Sequence, residues 1–112
     1  MTLDEIQAAQ AAFDRAHVAD VPFFEPITSN NLEALEHLLV CIAGEVGELA
    51  NVVKKVRRGD QSLEHAKPAI VEESADILIY VVKLANQLGY SLDDAFSAKL
   101  EINRERFRHY ER

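Results

Sequence analysis

The chain has 112 residues, long enough for one domain with a buried core but short enough that oligomerisation would add useful stability, so a single domain over residues 1–112 is expected. With 48% apolar and 28% charged residues it is neither disordered nor built for a membrane, and its lone cysteine, Cys41, excludes an intrachain disulfide or a thiolate metal cluster. A formal net charge of −7, spread along the chain, disfavours long nucleic acids, yet it suits a small phosphorylated ligand attached through divalent cations.

Only 4 glycines and 3 prolines occur, and apolar residues recur at three- and four-residue intervals, which predicts an all-α chain. The N-terminus, acidic and polar, does not read as a secretory signal, and no run approaches the ~20 apolar residues of a membrane span. A cytoplasmic protein with no membrane partner is expected. The first helix is predicted from Thr2, whose hydroxyl caps while Glu5 completes a capping box, to about Ala19. Val21-Pro22-Phe23-Phe24-Glu25-Pro26 interrupts it, because each proline removes a donor and restricts the residue before it.

Ser29, Asn30 and Asn31 offer N-caps for a second helix over Leu32–Arg58, with Arg57 and Arg58 at its negative end and Gly59 closing it. A third is predicted from near Pro68, read as a first-turn proline, to Gly89. Ser91 then caps a fourth that reaches about His109. The third helix is apolar almost all round, with Ile70, Ile77, Leu78, Ile79, Val81, Val82, Leu84 and Leu88. A second copy is its expected cover, which makes the fold four-helix bundle-like, with helices shared in a homodimer or homotetramer.

Glu45 and Glu48 lie three residues apart on the second helix, about 60° apart on one face. At ~100° per residue, Leu38, Leu49, Val52 and Val56 fall within about 40° of Glu45, so the acid sits inside the apolar stripe. Glu73 and Asp76 repeat the arrangement on the third helix among Ile77, Tyr80 and Leu84. Burying such carboxylates unpaired costs several kcal/mol each. No Lys or Arg is read as central to either stripe, so divalent cations are the expected neutralisers, and hard oxygen ligands suit Mg²⁺, with Mn²⁺ able to substitute. Glu33 and Glu36 share the spacing but read as a solvated pair. The histidines (His17, His37, His65, His109) read as surface or capping residues, and Cys41 as a small buried hydrophobe.

Gly44-Glu45-Val46-Gly47-Glu48-Leu49, then Glu73 to Tyr80 (ESADILIY), then Lys99 to Phe107 (KLEINRERF) resemble the MazG-like all-α nucleoside triphosphate pyrophosphatases, over roughly residues 30 to 108. Among subfamilies, the stretch from Asp76 to Phe107 looks most like the dCTP pyrophosphatase and integron-cassette MazG type. The resemblance implies a helical homo-oligomer, Mg²⁺ held by Glu45, Glu48, Glu73 and Asp76, and hydrolysis of a (d)NTP to (d)NMP and diphosphate, with house-cleaning of non-standard or excess dNTPs as the role. It makes Tyr80, Lys99, Asn103 and Arg106 substrate contacts. Where dCTP-cleaving members place tryptophans around the base this chain has none; Lys55 stands at one such place, and Phe23 and Phe24 are the aromatics available instead.

A site of acids and metal ions is chemically sufficient for this hydrolysis, with Glu45 or Glu48 orienting the attacking water. The competing expectation is a non-catalytic helical module that binds nucleotide or mediates assembly. Phosphoribosyl-ATP pyrophosphohydrolase activity would share the fold and the bond cleaved.

Overall fold

The computed structural model describes residues 1–17 and 20–112 and contains α1 (Leu3–Arg15), α2 (Leu32–Arg58), α3 (Leu63–Leu88), α4 (Leu92–Arg106) and a 3-10 turn at Arg108–Tyr110. No strand occurs among the described residues, and no described helix is long and apolar enough to cross a membrane. The all-α expectation holds.

The helix ends show how local chemistry sets the elements. Thr2 and Glu5 form the reciprocal capping box, the Glu5 N–H donating to the Thr2 hydroxyl at 3.1 Å and the Thr2 N–H to the Glu5 carboxylate at 3.2 Å. Helix α1 ends at Arg15, and the expected end at Ala19 lies outside the described residues. Asn31 occupies the N-cap position of α2 without capping it. Its side chain instead accepts from the Thr28 N–H at 2.6 Å and donates to the Pro26 carbonyl at 2.9 Å, so it folds the preceding loop. Gly59, at φ 86°, closes α2 in the left-handed conformation that a side chain would strain.

Helix α3 starts earlier than the sequence reading placed it. Ser62 is the true cap, its hydroxyl accepting from the His65 N–H at 3.1 Å, and Pro68 lies inside the helix. The proline is tolerated because the carbonyl it crowds, that of Glu64, belongs to the first turn, where the backbone can tilt toward water. At the other end of the chain, α4 begins at the predicted Ser91 cap, stops at Arg106 instead of His109, and tightens into the 3-10 turn.

Helices α2 and α3 pack antiparallel, with Leu38 and Val82 fully buried and Ala66 and Ala85 allowing close approach. Helix α1 lies along α3, and α4 docks on α1. Gln7 organises that joint from a position only 9% exposed. Its amide donates to Asn86 Oδ1 at 3.1 Å and to the Tyr90 carbonyl at 3.0 Å, and its oxygen accepts from the Leu92 N–H at 2.8 Å. Gln7→Ala leaves these groups unpaired and should cost about 2 kcal/mol. Thermal denaturation should show this as a melting point lower by roughly 10 °C; no shift would mean that water replaces the amide without loss.

The loop between α1 and α2 is pinned to α3 by Gln87, which donates to the Glu25 carbonyl at 3.0 Å and accepts from the Ile27 N–H at 2.8 Å through its backbone oxygen. That attachment delivers Phe23 to the face of α3 that carries Tyr80. The chain leaves much of its apolar surface uncovered. Its accessible area is 8214 Å², against about 6200 Å² for a compact protein of this mass. Its radius of gyration is 17.1 Å, against about 13 Å. Val40, Val71, Phe96 and Ile102 are each more than half exposed.

Candidate active site

Where α2 and α3 face each other, Glu45, Glu73 and Asp76 bring one carboxylate oxygen each within 4.8 Å of one another. All three residues are half-buried. One oxygen of Glu45 and one of Glu73 are covered from solvent and have no hydrogen-bond partner. The crowding pushes the Glu73 carboxyl from 4.5 up to about 7, first through a hydrogen bond with Glu45, then through burial and through the charges of Glu48 and Glu45. Glu48, one turn further along α2, is exposed and stands beside Glu73 but outside the close trio. Three converging acids, two of them with an orphaned buried oxygen, form an all-oxygen donor set that fits a hard divalent cation.

One cation does lie on the α3 face, contrary to the sequence reading. Lys83 follows Asp76 by seven residues, two turns and about 20° around the helix. Its ammonium is engaged elsewhere: 3.5 Å from Asp14 Oδ1 on α1, 3.8 Å above the Phe23 ring centroid and 5.2 Å from that of Tyr80. The period could have shown the position; the partner, on a distant helix, was not legible.

Tyr80 lies half-buried between the trio and this group. Burial, then Cys41, then the carboxylates of Glu45 and Asp76 push its phenol above the ordinary value, so it stays a hydrogen-bond donor. Phe23 meets Tyr80 edge-on at 5.9 Å and stacks on His37 at 5.7 Å. His37 is therefore a half-buried member of the aromatic cluster, not a surface or capping residue. Cys41 is half-buried, its sulfur 3.6 Å from His37 Nε2, and so is not fully enclosed as expected. Phe24 is 41% exposed. His17 stacks on Phe13, and His65 and His109 are exposed, as the sequence suggested.

The remaining predicted residues are not gathered by one chain. Lys55 is exposed on α2. On α4, Lys99 and Arg106 are exposed, Asn103 is half-buried, and the Arg106 guanidinium lies over the Phe107 ring at 5.0 Å. The main packing partners of α4 are α1 and the terminal turn, not α2.

Residues 33–110 match the family model of the MazG nucleotide pyrophosphohydrolase domain. dCTP pyrophosphatase 1 of Homo sapiens is 37% identical over 75 residues, which is 63% of this chain and 44% of the relative. The protein of the same name from Mus musculus is 36% identical over the same share. The Gene 37 protein of Mycobacterium phage L5 is 34% identical over 61 residues, 53% of this chain and 54% of the relative. The chain spans less than half the length of the dCTP pyrophosphatases it matches. No solved structure matches it.

Proposed function

The chain belongs to the MazG nucleotide pyrophosphohydrolase family, and from that footing we propose that, as a single domain, it hydrolyses a nucleoside triphosphate between the α- and β-phosphates, releasing a monophosphate and diphosphate. The observation that carries the reading is the trio of Glu45, Glu73 and Asp76 with two buried, unpartnered oxygens. These three, with Glu48 beside them, are the residues that would hold Mg²⁺, or Mn²⁺ in its place. The ion when bound supplies Lewis-acid polarisation of phosphate oxygens and acidifies water.

The chain's own groups complete the chemistry. Its exposure at the rim next to Glu73 supports Glu48 as the group that orients the attacking water and accepts its proton, a role the sequence shared between Glu45 and Glu48. Tyr80, held protonated, donates to an oxygen of the nucleotide. Lys99, Asn103, Arg106 and Lys55 contact the substrate once a second copy covers the exposed apolar surface, which is why the excess area favours a homodimer or homotetramer. The names of the human and mouse relatives favour deoxynucleotides, and clearance of excess or non-standard dNTPs is the role proposed.

Incubation with each common NTP and dNTP plus Mg²⁺, with products separated by ion exchange and the protein's mass read by sedimentation, tests this directly. Monophosphate plus diphosphate from a dimer or tetramer is the expected result. Intact substrates, with Mn²⁺ tried as well, would leave a non-catalytic nucleotide-binding or interaction module as the better description.

A further inference from the structure

The carboxylate site makes no use of Asp14, whose side chain on α1 is only 4% exposed. Asp14 Oδ1 accepts from the Gln10 amide at 3.0 Å and lies 3.5 Å from the Lys83 ammonium. Its Oδ2 is covered from solvent and has no hydrogen-bond partner. Lys83 is 11% exposed, and it lines with Asp14 a cavity of about 180 Å³ whose other walls are Phe13, His17 and Phe23.

An ion pair serving only to join α1 to α3 accounts poorly for this arrangement. Desolvating both charges is costly, the contact is long, and one carboxylate oxygen is left orphaned. A turn of the Asp14 carboxylate into the cavity would free Oδ2 to accept an N–H from a flat ligand whose carbonyl or ring-nitrogen lone pair meets Lys83, and the aromatic walls suit a heterocycle. A dry void of about 150 Å³ admits benzene, so this cavity has room for a six-membered ring. Its position fits too: Lys83 is seven residues beyond Asp76, about 10 Å along α3 at 1.5 Å per residue, with Tyr80 between them. Ribose and α-phosphate bridge such a gap.

We propose that Asp14 and Lys83 are specificity-determining residues, the Asp14 carboxylate and Lys83 ammonium reading the donor–acceptor edge of the nucleobase while Phe23 covers its ring. This rests on the nucleotide-hydrolase reading above and adds the part of the molecule that selects among nucleotides.

Steady-state kinetics over all common bases, for the wild type, Asp14→Asn and Lys83→Met, tests it, with inhibition by inorganic tripolyphosphate as the probe that has no base. Each variant should lower kcat/KM for the preferred nucleotide by about 10- to 100-fold, the worth of one hydrogen bond to a charged group. The loss should fall mostly in KM, flatten the ranking of bases, and leave tripolyphosphate inhibition unchanged. Asp14→Glu and Lys83→Arg keep the link between α1 and α3 while moving its polar atoms, so they should alter the ranking with little change in melting point even where the first pair folds poorly. A ranking that all four variants preserve, equal losses toward every nucleotide and tripolyphosphate, or a wild type indifferent to base overturns this inference alone. A wild type that turns over no nucleotide overturns the underlying reading along with it.

Discussion

Asp76→Asn and Glu73→Gln should each lower turnover by about a thousandfold or more while leaving the protein folded. The site offers a developing phosphate charge no buried Lys or Arg of its own, since the ammonium of Lys83 is held by Asp14 and Phe23. On the proposed reading, charge stabilisation then falls chiefly to the ions that the carboxylates would hold, with Lys99 and Arg106 contributing only through a second copy. Losing several kcal/mol of it corresponds to that factor, at 1.36 kcal/mol for each tenfold. Stability should move the other way in metal-free protein, because an amide in place of one of three crowded carboxylates removes like-charge repulsion at nearly the same volume. Product analysis paired with thermal melting, with and without Mg²⁺, reads both effects. Full activity in either variant would sink the assignment of the trio. Glu48→Gln separates the two roles proposed for that residue, since loss of turnover with Mg²⁺ stabilisation intact marks water orientation, and loss of both marks ligation.

Glu45, Glu73 and Asp76 were legible because helical spacing places residues three apart on one face and acids within an apolar stripe demand a partner, whereas Glu48 shares the spacing but is exposed and stays outside the trio. The start of α3 differs for a comparable reason: Pro68 is a strong local signal, but the Ser62 hydroxyl caps a turn earlier, and that added turn buries Ala66. Lys83, His37 and Phe23 are a different matter. What each does depends on a partner outside its own element, Asp14 for Lys83, Tyr80 for Phe23 and the Phe23 loop pinned by Gln87 for His37, and no periodicity within one helix encodes such a meeting. The α4 residues were recognised by resemblance, and the chain does not by itself bring their helix onto α2, so the role proposed for them depends on surfaces it leaves open.

Mg²⁺ should bind about a hundredfold more tightly at pH 8 than at pH 5, and Glu73 is the reason. Its carboxyl is raised from 4.5 to about 7 by the hydrogen bond with Glu45, by burial and by the neighbouring charges of Glu48 and Glu45. A proton on Glu73 favours the folded state, so its contribution to metal-free stability is fully present below about pH 4.5 and is lost as pH rises through about 7. Relative to Glu73→Gln, the metal-free wild type should therefore melt progressively lower between those limits and level off above pH 8. The same proton competes with the cation, because a ligating carboxylate must be ionised. Only about one molecule in a hundred has Glu73 ionised at pH 5, against most of them at pH 8, which sets the size of the affinity change. Calorimetric titration of Mg²⁺ across this range, in buffers of differing ionisation heat, should show close to one proton released per ion bound at pH 5 and almost none at pH 8. An affinity that does not change with pH would mean that the cation binds without displacing the Glu73 proton and that the trio is not its site.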